Sequence, residues 1–219
     1  MILTPVDRDA LPALLTRFAE TLADAPWARA IFLRIAATLD RVTDRGLALS
    51  NDPGHHRQAV ALCRSFAMET IGDSPRASYT WDGKAVHVDC EPSVVIHEVA
   101  HLQCASPSRR ALPDFGLGAG PETGCREEAD RAAAVFGVER DQEEALASLL
   151  GILWEVELGQ PAILAFLEQN WLEGGARPLN RDHFLKNLTI LRKNRLIDGD
   201  GHPTHELRIE ESPESFYKI

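Results

Sequence analysis

The chain has 219 residues, of which 44% are hydrophobic and 26% are charged, and its formal net charge is -10. This composition is typical of a globular protein with a substantial buried core. The negative charge argues against nucleic acid as a partner, because phosphate binding needs a basic face. No apolar run approaches the ~20 residues of a membrane span, so no membrane association is expected.

The N-terminus and the cysteines predict a cytoplasmic location. Residues 1–5 lack the basic and apolar regions of a signal peptide. Four widely spaced cysteines form no C-x-x-C pair, which argues against a zinc knuckle or a disulfide framework. We expect one domain over residues 1–219. It comprises an N-terminal helical region (1–74), a metal-binding core (75–172) and a C-terminal helix with a tail (173–219).

Hydrophobic periodicity predicts the elements in chain order. Helical spacing favours helices over residues 9–23, 26–46 and 55–66. From residue 77 the period changes to two. This predicts an antiparallel hairpin of residues 77–81 and 84–89 around the Asp82-Gly83 turn. Helical spacing returns at residues 94–105, 125–136, 142–158, 162–171 and 182–194, and the tail from residue 198 is predicted to be loose. The expected fold class is α+β and predominantly helical.

The most informative motif is His97-Glu98-Val99-Ala100-His101, a match to the H-E-x-x-H pattern. Histidines four residues apart lie one turn apart on the same helix face, so both imidazoles can reach one metal ion. Glu98 is placed to act on a water at that ion. A hairpin followed directly by such a helix resembles the core of zincin-type enzymes, in which an antiparallel strand lies beside the H-E-x-x-H helix.

A catalytic metal site of this kind needs a third protein ligand. Glu128 is the first candidate, because on a helix over residues 125–136 it shares a face with the apolar residues 132, 135 and 136. Glu127 is the runner-up, since its face looks solvated. Asp114 is a further candidate, either as a ligand or as an acceptor for a ligand imidazole.

One longer pattern adds a family resemblance. After His101 come Arg109-Arg110, Leu112 and Asp114-Phe115-Gly116, and then a helix that begins with glutamates. With this spacing, residues from about 90 to 172 resemble the elongation factor P hydroxylases, bacterial metalloenzymes that hydroxylate a modified lysine on that translation factor. The resemblance implies that His97, His101 and a carboxylate at position 127 or 128 bind a non-haem iron.

Two enzymatic functions are therefore expected. The first is an Fe(II) hydroxylase that acts on a peptide, protein or amino-acid-like substrate, in which Arg109, Arg110 and Asp114 contact the substrate. The second is a zinc peptidase or amidase of the gluzincin-like type, in which Glu98 is the general base. A non-enzymatic helical protein with a degenerate metal site is the third interpretation, and the intact Glu98 argues against it.

Overall fold

The computed structural model describes residues 6–43, 47–72, 80–120, 123–172 and 178–218, and within these ranges it is mostly helical. None of the described helices combines the length and the apolar character needed to cross a membrane. The described helices are α1 (Leu11–Thr21), α2 (Pro26–Ala37), α3 (Pro53–Ser65), α4 (Pro92–Cys104), α5 (Arg126–Arg131), α6 (Gly137–Glu157), α7 (Ile163–Glu168), α8 (Pro178–Lys193) and α9 (Pro213–Tyr217). The described strands are β1 (Glu69–Ile71) and β2 (Ala85–His87).

Local sequence explains where several helices begin. The Asp52 carboxylate accepts hydrogen bonds from the backbone N–H groups of Gly54 (2.6 Å) and His55 (3.1 Å), which caps α3. Pro92 lies in the first turn of α4, where a backbone N–H has no acceptor within the helix, so the N–H that proline lacks costs no hydrogen bond. The predominantly helical character predicted from periodicity is confirmed.

The predicted antiparallel hairpin requires correction. Strand β2 pairs with β1 in a parallel register, with Thr70 opposite Val86. An isolated antiparallel bridge joins Trp81 to Val86 across the tight turn, but it does not extend into a second strand among the described residues. Residues 77–79 of the predicted hairpin lie outside the described ranges. The two strands are parallel, and the zincin-like core expected with the hairpin is not confirmed.

The structural centre is the pair of helices α4 and α6, which pack against each other more extensively than any other pair of described elements. Gly151 of α6 lies opposite His97 of α4, where an added Cβ would come 3.5 Å from the His97 Cα. The missing side chain lets the two backbones approach closely at the motif. Helix α3 packs on α4 as well, so the motif helix lies between neighbours and most of its residues are buried.

The C-terminal tail is held against α4, contrary to the prediction of a loose segment. The Gln103 side chain donates hydrogen bonds to the backbone carbonyls of Thr204 (2.8 Å) and Glu206 (2.9 Å). The Arg208 backbone N–H donates to the Gln103 carbonyl at 2.9 Å. Arg208 is 2% exposed. Residues 204–208 therefore form part of the wall around the motif helix.

Candidate metal centre

Helix α4 brings the two motif histidines together as their spacing predicts. The Nε2 atoms of His97 and His101 lie 2.9 Å apart, and the two rings are nearly perpendicular. Both Nδ1 atoms are buried and have no hydrogen-bond partner among the described residues. Both Nε2 atoms thus point to a common position, with their ring planes set at a large angle.

A carboxylate from α6 completes the group. The Glu144 Oε2 atom lies 3.4 Å from His101 Nε2 and 3.7 Å from His97 Nε2. These three side chains are the one group of metal-binding residue types found close together within the described ranges. A circle through the three donor atoms has a radius of about 2.0 Å, which is close to the ~2.0–2.2 Å of Zn–N and Zn–O bonds. The residues therefore fit a single ion.

Electrostatics couple the three side chains in the absence of a metal. Burial lowers the pKa of His101, but the Glu144 carboxylate outweighs it and raises that pKa to about 9. Burial raises the pKa of Glu144, but the His101 charge and contacts with both imidazoles hold it well below its usual range. Burial and the His101 charge lower the pKa of His97. These interactions favour a protonated His101, an ionised Glu144 and a neutral His97 near neutral pH.

Glu98 lies beside this group and is 7% exposed. Burial raises the pKa of its carboxyl to about 8, an effect that the His101 charge opposes and the Asp114 and Glu144 charges reinforce. A carboxyl with a pKa near neutrality can both accept and release a proton, as a general acid or base must do.

A cavity of about 800 Å³ opens onto the site. All three candidate ligands and Glu98 line it, together with the apolar side chains of Phe115 and Leu117. Its lining also includes residues between the end of α7 and the start of α8, among them Trp171, which is stacked on His183 of α8. A volume of this size accommodates a small molecule or an extended side chain.

The structure does not bring Glu128, the predicted third ligand, to the two histidines. The Glu128 side chain is 53% exposed, and its carboxylate pairs with Arg131 at 3.4 Å. Glu127, the runner-up, is also exposed. Glu128 shares a helix face with residues 132, 135 and 136 only if the helix continues to residue 136, but α5 ends at Arg131 and Phe136 is 68% exposed. Among the described residues, Glu144 is the carboxylate that lies beside the two histidines.

The predicted substrate contacts lie in different surroundings. Arg109 is 7% exposed and donates hydrogen bonds to the Phe115 carbonyl (2.8 Å) and to the Glu143 carboxylate. Arg110 donates to the backbone carbonyls of Leu102 (3.2 Å) and Arg208. Neither arginine lines the cavity. Both guanidinium groups are engaged by the protein itself, so the structure does not place them against a substrate.

Asp114 does line the cavity, but its carboxylate is engaged within the loop. It accepts hydrogen bonds from the Thr123 hydroxyl (2.6 Å) and the Trp81 backbone N–H (3.3 Å). It does not accept a hydrogen bond from the Nδ1 atom of either motif histidine, since both Nδ1 atoms lack a partner in the described part of the chain. The predicted role as an imidazole acceptor is therefore not seen.

The sequence pattern does not single out Glu144, because this residue lies in the polar N-terminal part of α6, a helix that is otherwise rich in leucine. A signal for it was nevertheless present. Glu144, Ser148 and Gly151 recur at intervals of four and three residues, which forms a polar and small stripe between the leucines. Such a stripe on a buried helix marks a face that meets another backbone or a polar site.

Comparisons with known proteins give no relative for this arrangement: no protein-family profile, no curated protein and no solved structure matches the chain. The resemblance of residues 90–172 to the elongation factor P hydroxylases therefore stays a prediction from the motif spacing.

Proposed function

We propose that the protein is a metal-dependent enzyme in which His97, His101 and Glu144 hold one divalent ion. The observation that carries the proposal is the convergence of three donor atoms on a point that one ion can reach, at the wall of a cavity. Three protein ligands leave positions open for water or substrate, as catalytic sites require and closed structural sites do not.

The first assignment is a non-haem iron hydroxylase. Two histidines and one carboxylate are the ligand set that suits Fe(II) in oxygenases, and iron bound there would supply oxygen activation. The protein itself forms the walls of the cavity beside the ion. The buried Phe115 and Leu117 limit the access of water, and the cavity receives the substrate group to be hydroxylated.

The charge of the cavity supports a lysine-like or other cationic group on the substrate. The carboxyl groups of Glu98, Asp114, Glu144 and Glu168 line it, whereas its described lining residues include no lysine or arginine. Of these groups, Asp114 and Glu168 lie outside the candidate ligand group, and their negative charge raises the local concentration of cationic ligands in that part of the cavity. A peptide, a protein side chain or an amino-acid derivative with a free amine fits this requirement.

The second assignment is a zinc-dependent peptidase or amidase, and the position of Glu98 favours it. The Glu98 carboxyl lines the cavity beside the candidate ligands, and its pKa, raised to about 8 by burial, suits proton transfer. Zn(II) in such a site would lower the pKa of a water molecule. Glu98 would then take its proton during attack on a carbonyl carbon.

A comparison of the iron-loaded protein with the zinc-loaded protein tests the two assignments. Protein loaded anaerobically with Fe(II) is mixed with air, ascorbate and a library of lysine-containing peptides, and protein loaded with Zn(II) is mixed with the same peptides. We expect the iron form to add the mass of one oxygen atom to a peptide and the zinc form to leave the peptides intact.

Glu98→Gln sharpens the comparison, because it removes the proton acceptor and keeps the three ligands. Under the hydroxylase assignment this variant retains oxygen-dependent modification. Peptide cleavage by the zinc form that disappears in Glu98→Gln would transfer the assignment to the hydrolase. Absence of both products in both metal forms would contradict both assignments.

Metal affinity should rise with pH, because the metal must displace the proton of His101. The pKa of His101 is raised to about 9, so this proton is present at pH 7 and is lost only as the pH approaches 9. We expect the Kd for Co(II) to fall about tenfold per pH unit between pH 7 and 8.5, with about one proton released per ion. Isothermal titration calorimetry in two buffers of different ionisation enthalpy measures both the Kd and the number of protons released.

The Glu98→Gln variant is the control for this titration, since the Glu98 carboxyl also loses a proton near pH 8. The variant should keep the pH dependence if His101 is its source. A Kd that does not change across this pH range would contradict the ion pair between His101 and Glu144.

A further inference from the structure

The loop after α4 contains a run of left-handed backbone next to the candidate metal centre. Asp114 has φ 43° and ψ 39°, Phe115 has φ 53° and ψ 22°, and Gly116 has φ 70°. Residues with a Cβ adopt this conformation at a steric cost, and here two do so in succession. Such strain persists only where the surroundings enforce it, and it concentrates at functional sites.

Hydrogen bonds hold each residue of this left-handed turn, defined as residues 114–116. The Asp114 N–H donates to the Trp81 carbonyl at 2.9 Å, and its carboxylate accepts from the Thr123 hydroxyl. The Phe115 carbonyl accepts from the Arg109 guanidinium at 2.8 Å. The Gly116 carbonyl accepts from the Ala134 N–H at 2.7 Å. The turn is therefore fixed on both sides of Phe115.

The Phe115 ring stacks with two other rings. It is stacked on Trp81, with centroids 5.1 Å apart and planes 4° apart. It is also stacked on His101, with centroids 5.8 Å apart and planes 22° apart. Phe115 is 1% exposed, so the three-ring stack runs from the core to the candidate ligand.

Within the described residues, His101 lacks the hydrogen bond that usually orients a metal-binding imidazole. In most metal sites the second ring nitrogen donates to a carboxylate or a carbonyl, which fixes the ring plane. The His101 Nδ1 atom is buried and has no hydrogen-bond partner among the described residues. Its ring face instead contacts Phe115, and its edge contacts the His97 ring.

We propose that Phe115 is a positioning residue that sets the plane of the His101 imidazole, so that Nε2 faces His97 and Glu144. The stacked ring performs the task that a hydrogen bond to Nδ1 performs elsewhere, and the left-handed turn holds the ring in place. This role rests on the proposed metal site. It also gives the Asp-Phe-Gly motif a function that involves no contact between Asp114 and the metal.

The test compares Co(II) binding by full-length variants, followed by visible absorption and titration calorimetry. Phe115→Leu and Phe115→Met both remove the flat ring, and the unbranched methionine preserves packing better. We expect each to weaken Co(II) binding by about 10–100-fold, the range typical of lost outer contacts to a ligand, and to change the Co(II) absorption spectrum. Phe115→Tyr keeps the ring and should bind Co(II) with wild-type affinity and spectrum.

Phe32→Leu is the matched control, because Phe32 is fully buried in an aromatic cluster of the helical core and does not line the cavity. It should lower Tm without changing the Co(II) affinity. Wild-type binding by Phe115→Met, or equal losses of affinity in Phe32→Leu and Phe115→Leu, would overturn the positioning role. A wild-type protein that binds no Co(II) would instead refute the metal site itself.

Discussion

Glu144→Gln is expected to weaken divalent metal binding by more than about 100-fold. Loss of an outer contact to a ligand typically costs 10–100-fold, and the loss of a ligand exceeds this. The amide keeps the size of the side chain but removes the negative charge that lies 3.4 Å from His101 Nε2. Titration of Co(II) or Zn(II) into the metal-free protein at pH 8 measures the effect.

Glu128→Gln is the matched control, because it makes the same chemical change at an exposed carboxylate paired with Arg131. It should bind metal with wild-type affinity, as should Glu127→Gln. If Glu128→Gln loses the metal and Glu144→Gln keeps it, the third ligand returns to the position favoured by the sequence and the account of the site fails.

The second large effect concerns stability. Glu143 is fully buried, and its Oε2 atom accepts hydrogen bonds from Arg109, Arg208 and the Tyr217 hydroxyl. Glu143→Ala leaves two buried guanidinium groups without their shared counter-ion. Breaking a buried ion pair in this way costs about 3–5 kcal/mol, so we expect the free energy of unfolding to fall by that amount. Urea denaturation at pH 7 measures it.

Glu128→Ala serves as the comparison for this prediction, because its exposed ion pair should contribute only about 0–1 kcal/mol. If the two variants lose equal free energy of unfolding, Glu143 does not hold the tail in the way that the contacts indicate. Arg208→Met is expected to lose less than Glu143→Ala, since Arg109 and Tyr217 still satisfy the Glu143 carboxylate in that variant.

The parts of the fold and the site that the sequence predicted are those determined by local spacing. His97 and His101 share a helix face because residues four apart always do, and no distant contact decides it. The helices formed where apolar residues recur at helical intervals, as Leu11, Leu15 and Phe18 do in α1. These features are determined by residues that lie within one or two helix turns of one another in the sequence.

The features that were missed depend on contacts far apart in the chain. Strand β2 pairs with β1, and two three-residue strands carry too little pattern to reveal a parallel register. Glu144 meets the histidines only because α6 packs along α4. Arg208 looks solvated in a polar tail, yet its partner Glu143 lies 65 residues earlier and buries it. No local pattern contains these pairings.

Arg109 and Arg110 show why residue type can predict the wrong role for a charged pair. A charged pair in a long loop is typical of a substrate-binding segment. Here the same charges anchor the loop, Arg109 to Glu143 and Arg110 to backbone carbonyls. Residue type alone does not separate a guanidinium that faces a cavity from one that faces a buried carboxylate.

The most direct test of the central claim is a crystal structure of the metal-loaded protein, with the ion located by anomalous scattering at its absorption edge. We predict one ion at about 2.0–2.2 Å from the Nε2 atoms of His97 and His101 and from a carboxylate oxygen of Glu144. An ion bound elsewhere, one whose third protein ligand is Glu127 or Glu128, or an empty site after loading would contradict the account.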